Sequence, residues 1–396
     1  MAKLGEVFPV IRNGASIKQE SGAGGFPITR IETISNRTVN RSKMGYAGIF
    51  DIEKYQDYVL QDGDILMSHI NSEAHLGKVA LYTKQGNEQI IHGMNLLMLR
   101  SNSKKLLPEY AKYYFESWSF LRQIQRITKK SVNQASFTVT ALKEVEIPCV
   151  DIDAQKEIVK RLQNLEQLIS LRKQQLAKLD ELVKARFVEM FGDLASPACS
   201  WKKEKIVNIC ADQDDIKCGP FGTQLSKDAY QSTGVSVWEI PQINSNFLLK
   251  PTHFITAEKA LQLEAYSIIP GDIAMSRKGN VGRCAVFPEN LKNGIIHSDV
   301  LRIRIDKKRA VPTFMMHQLH NSNFIKHQIE LVSSGAIMAG INVTKLKEIE
   351  VHLPPLTLQN EFATFVERVD QQKQTIQQSL EKLELMKKAL MQEYFG

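Results

Sequence analysis

The sequence predicts an α+β protein with two globular domains, an internal pseudo-repeat, and two long helices that pair as an antiparallel coiled coil. Three observations support this prediction. A chain of 396 residues exceeds what one hydrophobic core usually serves. Two 38-residue segments match each other without a gap. Upstream of both, short strand-like segments are mixed with helix-like ones.

The clearest repeat is the match of residues 155–192 to residues 359–396, at a constant offset of 204. Among the identical positions are Gln155, Glu157, Lys184, Ala185, Glu189, Phe191 and Gly192, which recur as Gln359, Glu361, Lys388, Ala389, Glu393, Phe395 and Gly396.

Each copy predicts one long helix with an apolar seam, because apolar residues recur at alternating steps of three and four. No Pro or Gly interrupts either copy before the closing Phe-Gly, whose glycine suits a helix C-terminus. At 1.5 Å per residue each helix spans about 50 to 57 Å. The residues expected to pair the helices are Leu162, Leu165, Leu176, Leu179, Val366, Val369, Leu380 and Leu383.

An alternative is that each helix packs only on its own domain. The length argues against it, because a helix of about ten turns overshoots a domain of this size. Two such helices in one chain can pair and act as a spacer. Polar residues interrupt the seam at Arg172, Lys373 and Lys387, and they are expected to fix the register of the pair rather than to stabilise it.

The repeat continues upstream with small insertions. Residues 63–68 match 271–276 at an offset of 208, and Ile28, Ile31 and Ile34 correspond to Val237, Ile240 and Ile243. His92 is matched to His297 at an offset of 205. Within each domain, residues 78–82, 96–99, 284–287 and 300–305 are predicted strands, and residues 109–127 and 313–331 are predicted helices.

Charge and cysteine content narrow the class of protein. The net charge of +8 and the pI near 9.0 favour polyanionic partners, although composition alone is weak evidence. Five cysteines without C-x-x-C spacing suggest neither a disulfide framework nor a zinc site, and they predict a reducing compartment. The sequence has no signal-peptide pattern and no run of 18 apolar residues, so a cytoplasmic chain with no membrane partner is expected.

The motif search predicts a chain without a catalytic site, metal or cofactor of its own. A phosphate-binding G-x-x-x-x-G-K-[ST] loop, a G-x-S-x-G elbow and an H-E-x-x-H motif are all missing from the sequence. Known adenine methyltransferases carry Asn/Asp-Pro-Pro-aromatic, but here the Pro pair 354–355 lies between leucines. His92, His297, Asp64 and Asp272 are assigned to structure, the aspartates because each follows a glycine in a turn.

Polar loops are the candidate contacts to nucleic acid. Residues 69–75 and 277–280 lie between strand-like runs, and arginine, lysine and asparagine there can donate to base edges or phosphates. Residues 129–134, 333–342 and the glycine-rich 217–225 add further loops; an ordinary solvated hairpin remains the alternative for each. The candidates are His69, Asn71, Lys78, Lys129, Lys130 and Asn133 in the first domain, and Lys217, Phe221, Thr223, Arg277, Lys278, Asn280, Ser334 and Asn342 in the second.

These segments resemble the specificity subunit of type I restriction-modification enzymes over essentially the whole chain. The resemblance is carried by IKCGPFGTQL (216–225), the two Gly-Asp-Ile segments, SSGAIMAGIN (333–342), LPPLTLQNEF (353–362) and the two helices. It implies target recognition domains at residues 1–150 and 193–354, and helical conserved regions at 151–192 and 355–396. The first domain departs from the pattern because it lacks good copies of the GPFG and SGA segments.

The resemblance also implies a mechanism and partners. Each domain would read one half of a bipartite site in double-stranded DNA, and the helix pair would set the gap. Two methyltransferase subunits and later restriction/motor subunits would join the chain, and S-adenosylmethionine, ATP and Mg would belong to those partners.

Two other classes stay open at this point. One is a fused or stand-alone methyltransferase-specificity chain, which an assay for methyl transfer without partners would detect. The other is a coiled-coil scaffold unrelated to DNA, which salt-dependent binding to duplex DNA would exclude.

Overall fold

The computed structural model describes residues 1–19, 24–131, 134–279, 281–333 and 340–396. They divide into two compact units, the first formed by Met1–Lys173 with Gln378–Gly396 and the second by Gln174–Gln377. Each long helix therefore contributes one half to each unit.

The first unit is built from short strands and helices that precede the first long helix. Four antiparallel strands form its main sheet in the order β2-β6-β3-β5, and a second sheet has the order β4-β8-β7. The elements are β1 (Ala2–Lys3), α1 (Leu4–Val7), β2 (Val10–Asn13), β3 (Ile65–Ser68), β4 (Ile70–Asn71), β5 (Val79–Leu81), β6 (Leu96–Arg100), α2 (Pro108–Glu116), α3 (Trp118–Ile127), β7 (Lys129–Lys130), β8 (Ala135–Ser136), α4 (Val139–Lys143), β9 (Glu146–Ile147) and α5 (Ile152–Phe191).

The second unit repeats this plan with an added sheet. Its main sheet has the order β11-β18-β15-β16, and a second four-stranded sheet has the order β13-β12-β17-β14. The elements are β10 (Lys202–Lys205), β11 (Ile216–Cys218), β12 (Val235–Trp238), α6 (Ile240–Asn244), β13 (His253–Ile255), α7 (Ala257–Gln262), β14 (Ser267–Ile268), β15 (Ile273–Ser276), β16 (Cys284–Val286), β17 (Gly294–Ile296), β18 (Val300–Ile303), α8 (Pro312–Asn321), α9 (Asn323–Ser333), α10 (Val343–Lys347), β19 (Glu350–Leu353) and α11 (Leu356–Phe395).

The strand registers of the two main sheets are the same. Ile65 pairs with Leu99 in the first unit, and Ile273 pairs with Ile303 in the second, which are offsets of 208 and 204. The predicted α+β class and the internal pseudo-repeat are confirmed.

The predicted helices at 109–127 and 313–331 were wrong in one respect, because each is two helices. The chain turns to extended backbone at Ser117 (φ −75°, ψ 155°) and at Ser322 (φ −71°, ψ 127°). The Ser117 side chain accepts a hydrogen bond from the Phe120 N–H and so caps α3. A serine that caps a new helix inside an apolar pattern is easily overlooked, because the apolar spacing continues on both sides.

Aromatic residues near the C-terminal ends of both long helices lie in the cores. In the first unit the Phe395 ring meets the edge of Tyr110, with ring centroids 5.2 Å apart. In the second, Phe191 meets Phe314 at 4.7 Å and Phe362 at 5.6 Å. Their burial explains why phenylalanine recurs at 191 and 395.

Within each unit the two long helices run antiparallel. The interhelical ion pairs are Lys387–Glu166 (2.6 Å) and Lys173–Glu384 (2.9 Å) in the first unit, and Lys373–Asp180 (2.6 Å) and Arg186–Glu361 (3.0 Å) in the second. As residue numbers rise along α5, those of its partners fall along α11. Such partly exposed pairs contribute at most about 1 kcal/mol each.

The apolar seam is buried unevenly. Leu162, Leu165, Val366, Val369 and Leu380 are buried, whereas Leu176, Leu179 and Leu383 are half-buried. Leu162 belongs to the same apolar cluster as the tyrosines of α2, and Val366 and Val369 join the core of the second unit. The seam residues therefore pack the domains against the helices, and they also pack the two helices against each other.

A fully buried glutamine anchors the start of each long helix. The Gln155 Oε1 atom accepts a hydrogen bond from the Leu107 N–H, and the Gln359 Oε1 atom accepts one from the Val311 N–H, both at 2.9 Å. The Nε2 group of each donates to backbone carbonyls near the helix start. These bonds give a physical reason for the same residue at both repeat positions.

Candidate nucleic-acid interface

Loops from three parts of the sequence converge in the second unit. The Ile341 N–H donates to the Arg277 carbonyl at 3.2 Å, and Lys278 forms a β-bridge with Gly340. The Arg277 guanidinium lies over the Phe221 ring, 5.0 Å from its centroid. The structure thus brings together the described parts of three predicted loops, residues 217–225, 277–279 and 340–342, which we call the loop edge of the second unit.

Arg277 is half-buried and held in one orientation. Its Nη1 group donates to the Ser298 carbonyl at 3.2 Å and to the Cys218 Sγ atom at 3.5 Å. Burial raises the pKa of the Cys218 thiol, which favours its protonated form. Phe221, on which the guanidinium stacks, is 52% exposed, so an aromatic face and a cation reach solvent together.

The other candidates of the second unit have intramolecular partners or lie exposed. Lys278 pairs with Asp299 at 2.8 Å, and Lys217 lies 3.6 Å from a carboxylate oxygen of Asp214. The Asn342 side chain caps α10 by accepting a hydrogen bond from the Lys345 N–H. Thr223 is exposed in a short helical turn, Gly222–Leu225.

The first unit brings its own candidates together in a small sheet. Asn71 lies on β4, Lys129 and Lys130 lie on β7, and both strands pair with β8. Lys130 forms an ion pair with Glu73 at 2.9 Å. Lys129 is exposed. The Lys78 Nζ atom lies 2.5 Å from the His75 ring.

His69 does not project from a polar loop as its sequence context predicts. It is 5% exposed, and its ring meets Phe137 edge-on at 6.3 Å. Burial lowers the pKa of His69 to about 4, so the side chain is neutral at physiological pH. Three of the predicted contacts, Asn133, Asn280 and Ser334, lie outside the described residues.

The matching of His92 to His297 is also corrected. Ile28 bridges Ile91 in the first unit as Val237 pairs with Ile295 in the second. The strands that follow, β6 and β18, also start at equivalent positions, and the same number of residues separates them from Ile91 and from Ile295. The structural offset here is 204, so that His92 corresponds to Ile296 and His297 to Gly93. The predicted correspondence was wrong by one residue because it matched one histidine to the other.

His92 is fully buried, and its Nδ1 atom lies 3.4 Å from the Thr29 hydroxyl. Burial lowers its pKa to about 4. Asp64 and Asp272 are buried too, and each carboxylate accepts a two-pronged bond from an arginine, Arg100 or Arg304. These contacts fit the structural role expected of His92 and of both aspartates.

The described residues hold no group of three or more His, Cys, Asp or Glu side chains arranged to bind a metal ion. No helix among them is long and apolar enough to cross a membrane.

The fold and the loop edges define a class: a protein with a duplicated α+β domain whose two copies share a scaffold and differ in their loops. The family model described as the type I restriction modification DNA specificity domain matches residues 1–181 and 215–385. The chain belongs to this family, as a specificity subunit with two DNA specificity domains.

Individual relatives agree with this assignment. The chain is 31% identical over 396 residues to a protein of Methanocaldococcus jannaschii described as the type I restriction enzyme MjaX specificity subunit, covering 98% of this chain and 91% of that one. It is 21% identical over 329 residues to a Haemophilus influenzae protein described as the specificity subunit S.HindORF215P, covering 82% and 80% of the two chains.

Solved structures share the fold. The S subunit of a type I restriction-modification system from M. genitalium aligns with a TM-score of 0.60 at 14% identity, covering 100% of this chain and 95% of that one. A chain from a structure concerned with assembly and conformational transition of the type I R-M system aligns with a TM-score of 0.58 at 16% identity, covering 100% and 96%.

Proposed function

We propose that each domain of this chain reads one half of a bipartite site in double-stranded DNA. The observation that carries the proposal is the loop edge. One scaffold is used twice with the same strand registers, while the side chains on its loops differ between the copies. Shared scaffolds with different loops are expected of two readers of different sequences, because loops carry the contacts and the scaffold positions them.

The two long helices set the gap between the half-sites in this proposal. They also provide the surface on which two methyltransferase subunits and then restriction/motor subunits assemble. Adenine methylation with S-adenosylmethionine, and restriction with ATP and Mg, are assigned to those partners, since the sequence carries none of the motifs such chemistry uses. The interhelical ion pairs support a pair with one defined register, which a fixed gap requires.

Exchange of the first domain tests this proposal directly. Replacing residues 1–150 by the first domain of another family member is expected to change one half of the methylated motif and to leave the other half and the gap unchanged. The measurement is the methylation pattern in a host genome that carries the chain with its partner subunits. A change in both halves would contradict the proposal.

Arg277→Ala tests the loop edge of the second unit. We expect weaker binding and relaxed specificity at one base, at a cost of about 1–3 kcal/mol, because a guanidinium fixed through Nη1 can still donate from Nη2 to a base acceptor. Binding of the partner-assembled complex is measured at two salt concentrations on the cognate duplex and on single-base variants.

The control for this experiment is Arg309→Ala, an arginine paired with Glu204 and distant in sequence from the loop edge. A phosphate contact would instead weaken all duplexes alike and lower the salt slope by about one. Unchanged affinity on every duplex would remove Arg277 from the interface.

A further inference from the structure

We propose that a pocket of the first domain, with Arg30 and Asn95 as its donors, reads a base edge in the half-site of that domain. The inference rests on the proposed function and assigns residues to it. The pocket is an open cavity of about 390 Å³, and we call it the Arg30 pocket. Its polar lining residues are Gln19, Thr29, Arg30, Glu32 and Asn95, and Met94 is among its apolar ones.

The repeat fixes which residues of the second domain correspond to this pocket. Because Ile28 bridges Ile91 as Val237 pairs with Ile295, position 30 corresponds to position 239. Because β3 and β6 pair in the same register as β15 and β18, position 95 corresponds to position 299, and position 94 corresponds to position 298. The pocket therefore lies on the same part of the scaffold as Ser298, the residue whose carbonyl holds Arg277.

Local hydrogen bonds confirm the correspondence of Arg30 and Glu239. The Arg30 N–H donates to the Thr33 hydroxyl at 2.8 Å, and the Glu239 N–H donates to the Gln242 side chain at 3.1 Å. Both residues are the N-cap of a short helical turn in extended conformation. The two domains thus share this backbone conformation, whereas the side chain is basic in the first domain and acidic in the second.

The charges at this edge differ between the domains. In the second domain, Glu239 pairs with His253 at 2.7 Å and Asp299 pairs with Lys278 at 2.8 Å. In the first domain the two acidic positions hold Arg30 and Asn95, both of which can donate hydrogen bonds.

The cation of the second domain's loop has no counterpart in the first. The positions of Arg277 and Lys278 are taken by His69, which is buried and neutral, and by Ile70. In the first domain the arginine among these matched positions is Arg30, at the place of Glu239.

Arg30 keeps one end of its guanidinium for donation. Its Nε group donates to the Gln19 side chain, and its terminal nitrogens have no hydrogen-bond partner among the described residues. Gly45 leaves room for this arrangement, because a Cβ atom there would clash with Gln19 Oε1 and with Nε and Nη2 of Arg30. Since Nε and Nη2 lie against Gly45, Nη1 is the group that can donate to an acceptor on a base edge.

Asn95 is exposed beside the pocket. Its φ is +74°, a left-handed conformation that asparagine adopts more readily than most residues with a side chain. An exposed asparagine amide can donate to and accept from the adenine edge.

The test compares the motif methylated by the assembled complex, with its partner subunits, in a host free of other methylation. The variants are Asn95→Gly, which keeps the left-handed backbone and removes the amide, and Arg30→Ala. The matched control is Asn246→Gly, another exposed asparagine with positive φ (51°), in the second unit. Thermal unfolding of each complex confirms that the variants are folded.

We expect each of the two variants to lose discrimination at one base of the first half-site, by roughly ten- to hundredfold in competition binding, with the second half-site and the gap unchanged. Asn246→Gly should retain the full motif. If the wild-type complex methylates a bipartite motif and both variants methylate the same full motif, the proposed role of the Arg30 pocket is wrong. The proposed function is not affected by that result. Equal weakening on all duplexes would also overturn the role of the pocket, since that result indicates phosphate contacts. A wild-type complex that methylates no bipartite motif would instead overturn the proposed function.

Discussion

Leu162→Asp is expected to remove most of the free energy of unfolding of the first unit. Leu162 is fully buried on α5, in the apolar cluster that contains the tyrosines of α2. Removing a buried leucine side chain costs about 2–5 kcal/mol, and the introduced carboxylate adds the penalty of a buried, unpaired charge. Since whole domains are stable by only about 5–15 kcal/mol, this one substitution removes most of the margin. The measurement is the urea midpoint of unfolding together with soluble yield.

The same substitution six residues further along α5 is the control. Leu168 is 46% exposed, so Leu168→Asp should shift the midpoint little. Equal stability of the Leu162 and Leu168 variants would contradict the packing of the first unit on this helix.

Asp272→Ala is expected to destabilise the second unit by about 3 kcal/mol. The Asp272 carboxylate is 2% exposed, accepts bonds from Arg304 Nε and Nη2 at 2.8 Å, and accepts the Ile269 N–H at 2.9 Å. Removing it leaves the guanidinium and the amide without partners, which costs about 3–5 kcal/mol for a fully buried pair. The lower figure applies because the Arg304 side chain is 31% exposed.

Thermal unfolding measures this effect, with Asp228→Ala as the control. Asp228 is an exposed carboxylate of the same unit, so its loss should leave the transition unchanged. If Asp272→Ala unfolds at the wild-type temperature, the ion pair does not hold the turn before β15.

The long helices were predictable because their sequence repeats without a gap. Each begins three residues earlier than the repeat, at Ile152 and Leu356. In the first copy the Asp151 side chain accepts the Ala154 N–H and so starts the helix ahead of the matched segment. A cap residue acts through one hydrogen bond, and it need not recur at the same place in both copies. Matching the two repeats therefore does not identify it.

The candidate site was predictable only in part. Phe221 and Arg277 lie in different sequence segments, and both were identified because each stands in a polar or glycine-rich loop. Arg30 and Asn95 were missed, since the insertions between the copies hide their correspondence to acidic residues. The available indication was the Ile28, Ile31, Ile34 triplet, which already sets the offset at Arg30.

The place of Phe395 has a consequence for the order in which the protein is made. Phe395 is 4% exposed and packs on Tyr110 and Tyr114, so the last turn of the chain completes the core of the domain that is translated first. The second unit is one continuous segment, whereas the first unit also needs residues 378–396. The amino-terminal domain must wait until the carboxyl-terminal helix has emerged. A premature stop shortly before Phe395 is therefore a lesion of the amino-terminal domain.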